Sequence, residues 1–375
     1  MKRKITLKII KICGVILFAL FSSAEAGNLK DNSISEFRPV DPNQISDILT
    51  MISNRVRSNY DRIKTWQGEV AVISDSIFEG AAAERIFKTN TDGKGECPKT
   101  INDHREHVIK FSLDAEKDFL HANYCPTIPL QYIDVENERG LTAKGTAAFR
   151  RAIVTPEYEF HCTGDTMRDG VVMSRKAVKH VRQKGRACKK TTPPVFNPKE
   201  QFLPGRPVWE EFPLTLQYIN ERGPLDVDGH TLKVEKRTDG NNTEYRVQMP
   251  GKISPTDYII MDKIFSVEKG FNIILLEARM SNGQLFQKST WDYEVIDGVY
   301  LLSRTTKQDF TPDAKLSSER KCVFKNSQVN QPIPAETFTY KNLGLKENDV
   351  FKDEIEKKEY RYKESTKTLE PIDKK

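Results

Sequence analysis

The chain has 375 residues, of which 37% are hydrophobic and 30% charged, and its 59 Lys and Arg against 53 Asp and Glu give a formal charge of +6. The first 26 residues hold five of those cations and one acid, so the rest of the chain carries only +2, which argues against a general polyanion binder and excludes nucleic acid as the expected partner. Six cysteines, and no C-x-x-C spacing, give no sign of a thiol redox motif or a cysteine-rich zinc module.

The amino terminus reads MKRKITLKIIKICGVILFALFSSAEAGN: a basic stretch, an apolar run centred on residues 15–21, then the small residues Ala24 and Ala26 around Glu25. That order is an export signal, with cleavage expected after Ala26. The uninterrupted apolar run falls short of the roughly 20 residues that a spanning helix needs. Cys13 follows Lys11 and Ile12 rather than small residues, so lipidation is not expected. The sequence therefore predicts an exported protein of the periplasm or cell envelope, soluble and not integral to the membrane once cleaved, with a flexible leader over 27–40.

The first organised element begins at Asp41-Pro42, where the acid can cap and the proline suits a first helical turn. Ile45, Ile48, Leu49, Ile52, Val56, Tyr60 and Ile63 then recur every three or four residues, one stripe of an amphipathic helix. From Trp66 the period changes to two. Residues 66–73, 108–113 and 119–124 read as strands, and no comparably strong helix is expected before the charged tail. A proline-rich stretch over 191–213 reads as an ordered loop or seam, and 140–213 as a seam or insertion in a β-rich domain spanning 41–353.

Two turn signals set the register of the later strands. Counting outward from Asn282-Gly283 pairs Met280 with Leu285, Ala278 with Gln287, Leu276 with Ser289 and Ile274 with Trp291, with Glu277 and Lys288 on the reverse. Counting from Asp297-Gly298 pairs Val295 with Tyr300, Tyr293 with Leu302 and Trp291 with Arg304. Asp228-Gly229 predicts a further hairpin. The late strands thus present Ile274, Leu276, Met280, Trp291, Tyr293, Val295, Tyr300 and Leu302 on one apolar face, a face that either closes as a core or lines a ligand groove. The fold class expected is mostly β with some α (α+β): a curved antiparallel sheet or half-barrel covered by the amino-terminal amphipathic helix.

Catalytic and metal-binding patterns are sparse. The chain has no G-x-S-x-G, H-E-x-x-H or phosphate-binding loop. His104, His107, His121 and Cys125 form the best metal grouping, but His104 and His107 stand three apart in a strand-like segment and so point to opposite faces. The expectation is no metal, no cofactor and no catalytic residue. In an oxidising compartment, neighbours in sequence suggest disulfides Cys97–Cys125 and Cys162–Cys188, with Cys322 a buried thiol in a strand. SRKAVKHVRQKGRACKK (174–190) holds Arg175, Lys176, Lys179, Arg182, Lys184 and Arg186 without an acid; it reads as a solvated edge or loop, or as a contact patch for an anionic envelope component. The mixed charges of 354–375 suggest a frayed helix or disordered tail.

WDYEVIDGVYLLSR (291–304) resembles the strand-turn-strand near the end of bacterial proteins related to the outer-membrane lipoprotein-sorting carriers (LolA/LolB-like). NQPIPAETFTY (330–340), LGL (343–345) and DVFKD (349–353) resemble the closing segment of large exported relatives of that group. The resemblance implies a half-barrel around one or more helices and an apolar groove for acyl chains. The function it implies is non-enzymatic binding or transfer of lipid or lipoprotein acyl chains. The alternative is a structural or interaction module of the envelope, with a filled core and the basic segment as its contact surface.

Overall fold

The computed structural model describes residues 36–128, 131–143, 148–166, 172–181, 207–252 and 257–372. The export signal and most of the leader lie outside these residues. Asp41 starts the first element as expected: its carboxylate accepts from the Asn43 N–H at 2.9 Å over the 3-10 turn Pro42–Gln44, which runs into helix α1, Ile45–Asp61. Two shorter helices were not legible in the sequence. Helix α2 (Gly80–Asn90) follows strand β2, and α3 (Val208–Arg222) begins at the end of the stretch read as a proline-rich loop.

The strands are β1 (Arg38–Pro39), β2 (Thr65–Glu79), β3 (Thr100–Asp114), β4 (Phe119–Pro126), β5 (Gln131–Asp134), β6 (Arg139–Leu141), β7 (Ala148–Val154), β8 (Tyr158–Thr166) and β9 (Val172–Val181). After α3 come the small hairpin β10 (Asp226–Val227) and β11 (His230–Thr231), then β12 (Lys233–Asp239), β13 (Asn242–Lys252), β14 (Tyr258–Ser266), β15 (Asn272–Met280), β16 (Leu285–Ile296), β17 (Val299–Phe310) and β18 (Leu316–Val329). The chain closes with β19 (Val350–Asp353), β20 (Lys358–Lys363) and β21 (Thr368–Pro371).

All but the small hairpin join one 19-stranded sheet, curved and not closed. From one edge the order is β1, β12 to β18 in sequence, β2, β3, β4, β7, β8, β9, β19, β20, β21. Every neighbour is antiparallel except the β9–β19 pair. Strand β3 is long enough to pair with β4 at one end and with β5 at the other.

Alternation along the strands gives the sheet an inner and an outer face. On the inner face Val70, Val72, Ile109, Trp66, Leu276, Trp291, Tyr293 and Leu302 are buried in one core with Leu49, Ile52, Val56 and Tyr60 of α1. Asn59, also buried, ties the helix to the sheet: its amide donates to the Tyr300 carbonyl and accepts from the Tyr300 N–H, each at 2.8 Å. Farther along the same face, Ala83 and Phe87 of α2 cover Ile101 and Tyr132. The outer face of β7 to β9 carries Ile153, Phe160, Cys162 and Ala177, covered by Ile333, Phe338, Leu343 and Leu345 and by Phe351 and Tyr362 of β19 and β20.

The turns explain which registers hold. Asp297 and Gly298 both have positive φ, the two-residue type I′ geometry, and Val295–Tyr300 and Tyr293–Leu302 pair as predicted. Beyond them a bulge shifts the pairing, so Trp291 faces Thr305 rather than Arg304. At Asn282-Gly283 only the glycine has positive φ, and Met280 closes the loop on Gln284. This is a three-residue loop with a glycine bulge, so Arg279 rather than Met280 pairs with Leu285, while Ala278–Gln287, Leu276–Ser289 and Glu277–Lys288 stand.

Two further expectations change. The charged tail forms strands, because β19 docks in parallel on β9 and the alternating Tyr360 and Tyr362 give the following strand side chains to pack. The Cys97–Cys125 disulfide is absent and both thiols are free. Cys125 lies opposite Val108, eight residues along β3 from Thr100, whereas Cys97 precedes that strand; at ~3.4 Å per residue the two ends are roughly 27 Å apart, far beyond disulfide reach. Cys188 lies outside the described residues, and Cys162 and Cys322 are buried.

Candidate functional site

The inner face is not covered along its whole length. At the first edge of the sheet β1 is short, pairing Arg38 with Lys236 and Pro39 with Glu235, and the Val40 N–H donates to the Val234 carbonyl at 3.1 Å. Phe37 holds this edge by packing against two guanidinium groups, Arg237 at 4.5 Å and Arg246 at 4.8 Å from its ring centre. Those arginines are themselves paired with Glu244 and Glu235. The chain then turns through Pro42 into α1.

Helix α3 approaches the same edge from the other side. Val208 and Phe212 in its first half are buried, with Trp209 against Tyr60 and Phe212 edge-on to Phe265. Lys263, only 2% exposed on the inner face of β14, donates to the Glu211 carboxylate at 2.6 Å and anchors that half. Pro213 has no N–H to give to the Trp209 carbonyl four residues back, which weakens the ladder between the two halves of the helix. Past it the helix rises from the core: Leu216 and Ile219 are half-buried, while Leu214 and Tyr218 are exposed. Gly223, at φ +88°, ends it, and Pro224 leads into the β10–β11 hairpin, whose Asp228-Gly229 turn has two positive φ values.

Between these elements lies a cleft of about 570 Å³. Val40 and Ile45 contribute one side, Leu216 and Ile219 another, and Leu225, Leu232 and the buried Val234 most of the rest, with Ser46, Asn220, Thr231, Lys233 and Glu235 as its polar members. A mostly apolar concavity of this size with a few polar groups has the make-up of a small-molecule site, for which volumes of ~300–1,000 Å³ are usual. Among the described residues that line it there is no nucleophile paired with a base. What it can do is take apolar surface out of water.

The residues expected to line a groove stand elsewhere. Leu276, Trp291, Tyr293 and Leu302 are buried in the core beneath α1, Ile274, Met280 and Tyr300 are half-buried, and Val295 is 57% exposed; none of them lines this cleft. Tyr293 donates its hydroxyl to the Ile273 carbonyl at 2.9 Å, and its burial raises its pKa well above the usual tyrosine value. The cleft was missed because residues 39–46 and 216–235 meet only in the fold. A helical spacing of Val208, Phe212, Leu216 and Ile219 was present as a signal.

The histidines do not converge. His104 lies on the outer face between Asp75 at 2.8 Å and Glu106 at 3.2 Å, whereas His107 points to the inner face and stacks on Tyr124. On the outer face, the Nε2 of His121 is buried without a hydrogen-bond partner. No group of three metal-ligating side chains occurs among the described residues. Of the basic segment, Arg175 and Lys176 fall in β9, which is paired on both sides and so is not a solvated edge. Lys179 is neutralised by Asp353 at 2.9 Å, and Arg182, Lys184 and Arg186 lie outside the described residues.

No family model matches the sequence, and no curated protein is similar to it in sequence. Among solved structures it is similar to a LolA superfamily protein of Nitrosomonas europaea, with 10% identity, 77% of this chain and 98% of that chain covered, and a TM-score of 0.30. A DUF1329 family protein of Desulfovibrio piger is similar at 13% identity, with 81% and 100% covered and a TM-score of 0.33. Among the described residues no helix is long and apolar enough to cross a membrane.

Proposed function

We propose that this protein is a non-enzymatic exported carrier that binds the acyl chain of a lipid or lipoprotein in the cleft at the first edge of its sheet. The observation that carries this reading is the cleft itself: a volume of about 570 Å³ lined chiefly by proline and branched aliphatic side chains at a place where helix and sheet diverge. Each methylene moved from water into such a site contributes ~0.8 kcal/mol, so a modest length of chain suffices for micromolar binding. The basic, apolar and small-residue order of residues 1–26 supports export to the periplasm. Leu276, Trp291, Tyr293 and Leu302 serve in this reading as the packed base that holds α1 in place.

The test is titration of the purified protein with a solvatochromic fatty-acid probe. Wild type is expected to saturate with a blue shift, and Ile219→Arg, which puts a charge into the cleft, to weaken binding at least tenfold while keeping its fold. Equal binding by the variant, or none by wild type, refutes the assignment.

A further inference from the structure

A second feature of the inner face lies far from the cleft, between the apolar zones covered by α1 and α2. Along β3 the inner-facing residues run Leu113, Phe111, Ile109, then His107, Arg105 and Asp103, then Ile101. The neighbouring strands switch at the same level. On β2 Val72 gives way to Ser74 and Ser76, on β18 Cys322 gives way to Arg320 and Ser318, and on β17 Thr305 gives way to Lys307. One cross-strand row therefore reads Lys307, Arg320, Ser74, Arg105.

Two properties of this row have no structural benefit. Lys307 and Arg320 are directly opposite, and like charges in that position destabilise a sheet. Lys307 turns to Asp309 at 3.4 Å and Arg105 is held in a two-pronged grip by Asp103 at 2.9 and 2.6 Å, but half-buried Arg320 makes no ion pair among the described residues and has the Cys322 thiol and the His107 ring nearby. His107 adds a donor that stays neutral, since burial and then the charges of Arg320 and Arg105 push its pKa down to about 4. Arg105 and Lys307 keep 55% and 49% of their side chains exposed, so the row is open to a ligand. The arginines flank β2, and with strands ~4.8 Å apart the Arg320 guanidinium and the part of the Arg105 guanidinium outside the Asp103 grip can close on one tetrahedral anion above the small Ser74 side chain.

We propose that Arg320, Lys307 and Arg105, with the Ser74 hydroxyl, form a binding site for a phosphate oxyanion, carried either by a small soluble phosphomonoester or by a lipid headgroup. The site shares no residue with the cleft and stands or falls separately from it.

The experiment is thermal unfolding of the mature protein in inorganic phosphate against chloride of equal ionic strength, with Arg320→Gln, Lys307→Gln and the outer-face control Lys321→Gln. Phosphate is expected to raise the Tm of wild type and the control, and to lose that effect in Arg320→Gln. In chloride, Arg320→Gln should be at least as stable as wild type, because the repulsion with Lys307 is gone. Should Arg320→Gln fail to fold while Lys307→Gln folds, loss of the phosphate response in the latter supports the site equally, and its retention there overturns it. Calorimetry with glycerol phosphate and flotation with phosphatidic-acid vesicles then separate the sources: a response to the first assigns a soluble ligand, and to vesicles alone a headgroup. An equal rise in chloride, or a phosphate shift retained in Arg320→Gln, overturns the proposal.

Discussion

The inner face of the sheet is treated in two ways. Under α1 the apolar strand residues are buried in one core with the apolar stripe of the helix, and Asn59 satisfies the Tyr300 N–H and carbonyl. At the β1–β12 edge the same face meets only the loosened end of α3 and a short hairpin, and a cleft remains. Both regions are built from the same residue types. The difference lies in the covering element: a 17-residue amphipathic helix closes the sheet, whereas a helix interrupted by Pro213 and stopped at Gly223 leaves the sheet partly open.

The sharpest way to break this contrast is to damage the closed region. Trp291→Ala removes a nearly fully buried indole, and a loss of about 3–5 kcal/mol is expected in urea unfolding, with the cleft's probe affinity unchanged in the protein that remains folded. Lys263→Ala strands the Glu211 carboxylate beneath α3 and should cost about 3 kcal/mol, while Lys263→Met combined with Glu211→Leu should recover most of it. Asn59→Ala leaves the Tyr300 backbone groups unpaired and should cost about 2 kcal/mol.

Acid offers a probe of comparable size. Burial, then Arg151, pushes the His121 pKa down to about 4, and His107 falls to a similar value. Between pH 6.5 and 4 the unfolded chain takes up protons at these positions and the folded chain does not, so stability declines as pH falls through that window and is level above it. At pH 5 His121 alone accounts for about 2 kcal/mol, read as the difference in urea midpoint between wild type and His121→Gln at pH 7 and pH 5. His104 runs the other way. Burial alone would lower its pKa, but Asp75 and Glu106 raise it, so its contribution is full below pH 6.5 and is lost as pH climbs through the raised value. The smallest effect on stability belongs to the open region, where Ile219→Arg is expected to change unfolding by less than about 1 kcal/mol.

Local chemistry carried most of the fold into the sequence. The helical stripe from Ile45 to Tyr60 and the type I′ turn at Asp297-Gly298 specify their structures within a few residues. Where sequence and structure part, one residue decides it. An extra loop residue at Asn282-Gly283 moves Met280 out of register, and Pro207 and Pro213 disguise a helix whose first proline merely occupies its cap and whose second is tolerated as a weak point. The charged tail looks incapable of burial because its partners, β9 and the outer face, are some 170 residues away in sequence, as the Lys179–Asp353 pair shows. The cleft is illegible for the same reason: neither 39–46 nor 216–235 is distinctive alone, and its apolar character arises only when they meet.

The central claim is that ligand enters where the cover is loose and not where it is tight. Photo-crosslinking with a diazirine-bearing fatty acid, followed by peptide mapping, addresses it directly. Adducts confined to residues 39–46 and 216–235 are the predicted result; adducts concentrated on strands β15 to β17 beneath α1, or none above the background of heat-unfolded protein, would contradict it.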